Sequence, residues 1–224
     1  MKKHASRLLY FFTLLTPWPL RRRLLTRIYD YKIPPTAYIG FSWVRPKQLI
    51  MADHSRIGHL TVCTGLSLLE LNASARIGNR NQIFGPPLGS TNGYKHRQRF
   101  PALKLGNSAA ITHQHILDCT DTISIGQNSL IAGYRSQFLS HSLDLRESRQ
   151  DCEPITIGRS CLVGTASVVL KGAVLPDRSV LGAGSVLKKE VNDRQPGLYW
   201  GVPAARIGDS ERYERWFDRS SSAQ

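Results

Sequence analysis

Apolar residues recur at every sixth position through the C-terminal part of the chain. The repeat covers residues 157–191, and its apolar members are Ile157, Val163, Val169, Leu175, Leu181 and Leu187. This spacing fits neither the period of an α-helix nor the two-residue period of an ordinary strand. A six-residue repeat is typical of a β-helix, in which each short strand points one apolar side chain inward and a tight corner follows. The pattern therefore predicts an all-β fold built from stacked coils.

Three six-residue repeats close one triangular coil, so residues 18 positions apart are expected to stack in one column. Ile157 is predicted to lie on Leu175, and Val163 on Leu181. Each buried apolar side chain contributes about 1.5–3 kcal/mol to such a core. Corner residues should be small because they crowd the neighbouring coil. The same frame begins near residue 35 and extends to residue 208, which defines the predicted β-helix domain.

Two segments interrupt this frame and are expected to leave the β-helix as loops. Residues 85–101 are basic and rich in glycine and proline. They are predicted either to contact an acceptor or partner or to form a merely solvated loop. Residues 141–154 are polar and charged between two apolar runs. The second loop is therefore where chemistry is expected.

The two ends of the chain are predicted to be helical. Residues 1–34 combine apolar and basic positions at helical spacing, and the apolar run from Leu8 to Leu15 is too short to span a bilayer. This amphipathic segment either docks on an anionic membrane surface or caps the open end of the β-helix, and both interpretations stay open. Residues 209–224 are predicted to form a short helix, from Ser210 to Asp218, and a polar tail.

The overall charge narrows the choice of partners. The chain has 30 Lys and Arg against 16 Asp and Glu, a net charge of +14, which favours an anionic partner. The basic residues are dispersed and no nucleic-acid-binding motif is visible, so nucleic acid is not expected. Four cysteines without CxxC spacing fit a reducing compartment. We therefore expect a cytoplasmic protein, peripheral at the inner face of the membrane if the N-terminal segment docks there.

Three features together resemble the hexapeptide-repeat acyltransferases: the repeats at 157–191, the closing segment Gly201–Ile207, and the loop-borne segment Ser140–Asp144. The resemblance covers most of residues 35–208 and is strongest to bacterial polysaccharide O-acetyltransferases of the colanic-acid type. It implies a left-handed parallel β-helix, a homotrimer with active sites between subunits, and acetyl-CoA as acyl donor. The implied reaction transfers an acetyl group to a sugar hydroxyl, on a sugar or glycan acceptor, in surface polysaccharide biosynthesis.

Acyl transfer to a hydroxyl needs a base that accepts its proton, and imidazole suits this task at neutral pH. His141 begins the second loop and matches the family's general base. Asp144 or Glu147 is expected to orient it, and the sequence does not choose between them. His115 is expected either to bind or orient the acceptor or to be a buried structural histidine. No Ser or Cys has a clear base partner, so direct transfer in a ternary complex is predicted.

By the same resemblance, the pantetheine arm of acetyl-CoA lies in a groove between neighbouring β-helices, and basic side chains meet the nucleotide phosphates. The residues assigned to the arm are Gly164, Thr165 and Ala183, and those assigned to the phosphates are Lys188, Lys189 and Arg206. No metal is expected in this reaction.

Two other functions remain as alternatives. A γ-carbonic-anhydrase-like enzyme would hold a zinc-like ion with three histidines, and His113, His115 and His141 supply that number. A non-catalytic β-helix scaffold would use its faces to bind partners. The interrupted coil at His141 argues against the scaffold, because a scaffold has no reason to break its repeat there.

Overall fold

A computed structural model describes residues 9–90, 93–189 and 195–218 of the protein. Its body is a β-helix with three sheets whose strands run parallel, apart from one antiparallel pair at the C-terminal end, and each complete coil contributes one strand to each sheet. This arrangement confirms the predicted left-handed parallel β-helix. The core runs along the axis, where the strands of all three sheets bury one or two apolar side chains each.

The strands are numbered in chain order. Sheet one contains β1 (Tyr38–Ile39), β4 (Arg56–Ile57), β7 (Arg76–Ile77), β10 (Ala110–His113), β13 (Leu130–Tyr134), β18 (Leu162–Val163), β21 (Val180–Leu181), β23 (Leu198–Gly201) and β24 (Ala204–Gly208). Sheet two contains β2 (Trp43–Arg45), β5 (Val62–Thr64), β8 (Gln82–Phe84), β11 (Ile116–Asp118), β14 (Gln137–Leu139), β19 (Val168–Leu170) and β22 (Val186–Leu187). Sheet three contains β3 (Gln48–Met51), β6 (Leu68–Leu71), β9 (Ala102–Leu105), β12 (Ile123–Ile125), β17 (Ile155–Ile157) and β20 (Val174–Leu175).

The register of the last coils is the one that the six-residue repeat predicts. Ile157 pairs with Leu175 in sheet three, and Val163 pairs with Leu181 in sheet one. All four side chains are buried. The stacked columns therefore form because equal coil lengths bring equivalent positions of successive repeats into contact.

Coil corners are small because successive coils approach closely there. At Gly158, between sheets three and one, a Cβ atom would lie 2.5 Å from the backbone nitrogen of Asp177. At the same corner Ser129 Oγ donates to the carbonyl of Gly158 at 2.6 Å and accepts from the amide of Cys161 at 2.9 Å. Short polar side chains thus satisfy backbone groups that the turn leaves without a strand partner.

Two coils are longer than the rest, and in both the extra residues lie at the corner between sheets two and three. Leu71 pairs with Leu105, and Ile125 pairs with Ile157, at separations well above 18 residues. The first surplus forms the loop at residues 85–101. The second contains an antiparallel hairpin of β15 (His141–Asp144) and β16 (Arg149–Cys152).

Helices lie at both ends of the β-helix. Residues 9–14 and α1 (Trp18–Tyr29) cover the first coil, with Tyr10 and Leu25 buried in its core. The C-terminal end carries a 3₁₀ helix (Glu211–Tyr213) and α2 (Glu214–Phe217). The predicted polar tail at residues 219–224 and the start of the predicted N-terminal segment, residues 1–8, lie outside the described residues. Within the described ranges, no helix has both the length and the apolar content needed to cross a membrane.

Candidate active site

The two excursions from the β-helix are joined to each other by a buried carboxylate. Asp151 on β16 accepts a hydrogen bond from Arg97 Nε of the 85–101 loop at 2.6 Å. Lys171 Nζ, on the following coil, lies 2.6 Å from the other oxygen of Asp151. The hydrogen bond from Arg97, together with Lys171, holds the pKa of Asp151 well below its usual value. This charge cluster fixes the hairpin against the loop.

Arg99 fixes the inner part of the same loop. Its guanidinium donates to the carbonyls of Pro86 at 2.7 Å, Pro87 at 3.1 Å and Thr120 at 3.1 Å. The guanidinium carbon also lies 5.0 Å from the ring centroid of Tyr94, in cation–π range. Arg99 is buried, so these contacts form in a largely desolvated setting. The loop therefore has a defined position beside the coil corner.

His141 is the first residue of the hairpin, and its imidazole is in contact with Asp118. His141 Nδ1 forms an ion pair or hydrogen bond with Asp118 Oδ2. Asp118 Oδ1 accepts from the amide of Thr120 at 3.0 Å and from its hydroxyl at 2.7 Å. Because Asp118 is buried and both of its oxygens are engaged, its carboxylate is rigidly placed.

This contact determines the proton chemistry of the imidazole. The hydrogen bond to Asp118 raises the pKa of His141 above its usual value of 6.5, while partial burial and the charge of Lys171 oppose that rise. With the Nδ1 proton donated to Asp118, the neutral ring carries its lone pair on Nε2. His141 is thus held in the tautomer that a general base requires.

His141 lines a cavity of about 450 Å³ between the loop and the hairpin. The other residues that line it are Phe84, Pro86, Gly93, Tyr94, Asp118, Thr120 and Gln150. The ring of Tyr94 stands edge-on to the imidazole, with centroids 6.3 Å apart. Burial is the largest cause that raises the pKa of Tyr94, so its phenol is neutral at physiological pH. The cavity combines one titratable base with an aromatic wall.

The carboxylate beside His141 differs from the two that the sequence pattern predicts. Asp144 Oδ1 accepts hydrogen bonds from the turn amides of Arg146 at 3.0 Å and Glu147 at 3.2 Å. Glu147 is exposed in that turn. Asp144 is three residues along an extended strand from His141, about 10 Å away at the rise of a β-strand. The hairpin therefore carries both carboxylates away from the imidazole, and the preceding coil supplies Asp118 instead.

His115 occupies the corner between sheets one and two, away from the cavity. Its Nδ1 accepts from the amide of Ser136 at 3.1 Å, and its Nε2 lies 2.9 Å from Thr112 Oγ1. Burial lowers the pKa of His115 to about 4. Of the two predicted roles, this geometry matches the buried structural histidine and not the acceptor ligand. His113 and His115 are two positions apart but do not share one face of a strand, because Gln114 between them turns the corner with φ +60°.

The six residues predicted to hold acetyl-CoA lie in separate places within one chain. Gly164 and Ala183 stack on adjacent coils at the corner between sheets one and two, where Thr165 Oγ1 donates to the carbonyl of Tyr134 at 2.9 Å. Ala183 precedes β22, whereas Lys188 and Lys189 follow it and therefore lie at the other end of that strand.

Lys189 and Arg206, both predicted to meet the phosphates, form ion pairs within the chain. Lys189 Nζ lies 2.6 Å from Glu153 Oε2. Arg206 on β24 contacts Asp209 and donates to the carbonyl of Pro196 at 3.1 Å. Within one chain, both of these side chains therefore already contact a carboxylate.

The three histidines of the metal-enzyme alternative do not converge. His113 Nδ1 accepts from the amide of Asn79, His115 is enclosed by Thr112 and Ser136, and His141 is paired with Asp118. Among the residues that the structure describes, no group of three or more His, Cys, Asp or Glu side chains is placed to hold a metal ion.

The structure is thus a β-helix built from six-residue repeats, and a His141–Asp118 pair lies where a hairpin interrupts one of its coils. Residues 154–189 match the family model described as "Hexapeptide repeat of succinyl-transferase". The chain is 35% identical over 74 residues to the galactoside O-acetyltransferase of Escherichia coli (strain K12), covering 31% of this chain and 36% of that protein. It is 32% identical over 87 residues to the provisionally named acetyltransferase YvoF of Bacillus subtilis (strain 168), covering 39% of this chain and 47% of that protein.

Solved structures extend the comparison over more of the chain. A single-residue mutant of AntD, an N-acyltransferase from Bacillus cereus in complex with dTDP and coenzyme A, has a TM-score of 0.50. That match is 13% identical and covers 80% of this chain and 86% of AntD, so it shows the fold. A hexapeptide-repeat acetyltransferase from Vibrio cholerae O1 biovar eltor, complexed with acetyl-CoA, has a TM-score of 0.49 and is 25% identical, covering 63% of this chain and 71% of that chain.

The matched part of the chain corresponds to less than half the length of the two curated relatives. Residues 154–189 thus carry the hexapeptide repeat, and the aligned part of the chain is similar to two proteins named as acetyltransferases.

Proposed function

We propose that this protein is a CoA-dependent O-acetyltransferase that moves an acetyl group from acetyl-CoA to a sugar hydroxyl, with His141 as general base. The observation that carries the proposal is the Asp118–His141 pair in a cavity bordered by two excursions from a β-helix. The names of the two curated relatives, an acetyltransferase and a galactoside O-acetyltransferase, support this reaction class.

The proposed chemistry is a direct transfer in a ternary complex. His141 Nε2 accepts the proton of the acceptor hydroxyl as that oxygen attacks the thioester carbonyl. Asp118 stabilises the imidazolium that forms. The tetrahedral intermediate then collapses, the carbon–sulfur bond breaks, and the thiolate of CoA takes the proton back from His141. The acetyl group passes directly from the sulfur of CoA to the acceptor oxygen, so no covalent enzyme intermediate forms.

The cysteines support direct transfer over a ping-pong mechanism. Cys152 pairs with His141 across the hairpin, but burial raises the pKa of its thiol to about 11. A thiol with that pKa is protonated at neutral pH and is a poor nucleophile. All four cysteines are buried and free, which is compatible with the reducing cytoplasm that we propose as the protein's location.

Acetyl-CoA binding is proposed to need a second copy of the chain. Gly164, Thr165 and Ala183 form a corner with small side chains that a pantetheine arm can approach closely. The Asp118–His141 pair lies at a different corner, on the two preceding coils. A homotrimer would bring these two corners from adjacent copies together, with Lys188, Lys189 and Arg206 as candidate contacts for the phosphates.

The acceptor is proposed to be a sugar of a bacterial surface polysaccharide, or one of its precursors. Aromatic rings that face a small cavity are suited to the apolar face of a sugar ring, and Phe84 and Tyr94 offer two of them. The colanic-acid type of polysaccharide remains the particular class that we propose.

The experiment measures release of CoA from acetyl-CoA by the purified full-length protein with three acceptors: a nucleotide sugar, a polyprenyl-linked oligosaccharide and a finished polysaccharide. His141→Asn should remove acceptor-dependent release, because general-base catalysis contributes about 10²–10⁴-fold. The matched control is His54→Asn, at an exposed corner residue remote from the hairpin in sequence, which should retain wild-type turnover.

Unchanged turnover in His141→Asn would refute His141 as the base. Absence of release with every acceptor would favour the scaffold, provided that circular dichroism shows the β-helix intact. Metal-dependent hydration of carbon dioxide would instead support the γ-carbonic-anhydrase alternative, which the separated histidines disfavour.

A further inference from the structure

The N-terminal helices are fixed on the first coil by one buried face. Arg21 is buried and donates to the carbonyls of Gly40 at 2.7 Å and Ser42 at 2.8 Å. The hydroxyl of Tyr10, also buried, accepts from the amide of Val44 at 3.1 Å. These bonds satisfy backbone groups at the open end of the β-helix, so the helices serve as a cap. Their opposite face is thereby directed away from the protein.

That opposite face is apolar, although it is exposed. Phe12 is 56% exposed and Leu15 is 66% exposed, in a part of the chain where polar residues would be expected on the outside. We define the outer face by its exposed apolar side chains, which are Leu9, Phe11, Phe12, Leu15 and Leu20. The rings of Phe11 and Phe12 pack edge to face with centroids 6.4 Å apart, and an exposed apolar patch marks a site of interaction with a partner or a membrane.

The N-terminal region that contains the outer face is rich in basic residues and poor in acidic ones. Residues 1–47 contain ten of the 30 Lys and Arg of the chain but only one of its 16 Asp and Glu, Asp30. Arg23 and Arg27 on α1 are exposed beside Leu20. Two copies of this chain that met through their outer faces would bring these like charges together, which is unfavourable. An anionic surface complements the same charges.

We propose that the outer face docks on the surface of an anionic lipid bilayer, with both helices lying in the plane of the interface. The apolar side chains enter the boundary between headgroups and acyl chains, while the arginines remain among the anionic headgroups. The cap therefore has two functions, because its inner face closes the β-helix and its outer face carries the protein to the membrane. This inference goes beyond the proposed function and does not depend on it.

The test is co-sedimentation of the full-length protein with extruded vesicles at low ionic strength. One set contains equal parts of phosphatidylglycerol and phosphatidylcholine, and the other contains phosphatidylcholine alone. Wild type should bind the anionic set, and added salt should weaken binding. Phe12→Glu should lower the partition coefficient by about tenfold or more, since it removes an apolar side chain that the bilayer would bury and adds a charge that the headgroups repel.

Ile207→Glu is the matched control. Ile207 is 60% exposed on β24, at the other end of the β-helix, so the variant makes the same kind of change on a surface outside the proposal. It should bind anionic vesicles nearly as well as wild type. Leu15→Glu is a second test of the outer face, and it is used if circular dichroism shows that Phe12→Glu does not fold. The double variant Arg23→Gln/Arg27→Gln should lose part of the salt dependence while keeping the apolar residues.

Three results would overturn the proposal. Equal loss of binding in Ile207→Glu and in the outer-face variants would mean that added negative charge alone is responsible. Equal binding of wild type to both vesicle sets would remove the electrostatic argument. Dissociation of a wild-type oligomer by Phe12→Glu without vesicles, seen by light scattering, would identify the outer face as an interface between copies.

Discussion

Replacement of Asp118 by Asn tests whether this carboxylate positions and activates His141. The substitution keeps the size of the side chain and an oxygen that can accept from Thr120, but it removes the charge that the imidazole contacts. A hydrogen bond to a charged group contributes about 1.5–3 kcal/mol. Since each 1.36 kcal/mol is a factor of ten in rate, kcat/KM should fall by roughly 10- to 150-fold.

The pH profile gives the more specific readout. A general base must be neutral, so kcat/KM should rise with pH through the pKa of His141 in the free enzyme. Asp118 raises that pKa above 6.5, and its removal should therefore move the acidic limb to lower pH while the plateau falls. A purely structural defect would lower the whole profile without moving the midpoint.

The assay is acetyl-CoA-dependent transfer measured from acidic to mildly alkaline pH for wild type, Asp118→Asn and a matched control. Asp121→Asn is that control, because Asp121 is also buried at this corner and its Oδ1 accepts from the backbone amides of Phe100 at 3.1 Å and Thr122 at 2.8 Å. It should leave the midpoint in place. A midpoint that is the same in wild type and Asp118→Asn would contradict the assignment of Asp118.

Three further perturbations test the cavity wall, the charge cluster and the core. Tyr94→Ala should raise the KM for the acceptor with little change in the KM for acetyl-CoA, and Tyr94→Phe should restore it, in steady-state assays that vary each substrate. Asp151→Asn should lower the Tm. The pKa of Asp151 is depressed in the folded protein, so its stabilisation is fully present above pH 3.8 and is lost as the pH falls further. The difference in Tm between wild type and the variant should therefore shrink only in acid. Leu175→Ala, which opens the column above Ile157, should cost about 2–5 kcal/mol in denaturant unfolding, against about 0.5 kcal/mol or less for Val202→Ala at an exposed site.

The sequence by itself determined the β-helix and the stacking of its last coils. A strict six-residue period is compatible with few folds, because each repeat must bury an apolar side chain and each corner must be small enough to pack against the next coil. The pairing of Ile157 with Leu175 follows from counting along that period. The period also predicted where the coil is interrupted, and the interruption singled out His141 as the residue to examine.

Only the tertiary structure decided which groups meet His141. Asp118 precedes it by more than one coil, and the extended hairpin carries the nearer carboxylate of Asp144 to the turn. Tyr94 belongs to the 85–101 loop, which the salt bridge between Arg97 and Asp151 fixes against the hairpin. Contacts of this kind depend on the length of each coil and on the path of each excursion. A repeat fixes the core because its contacts recur with a constant spacing, whereas the site is assembled from segments that break that spacing.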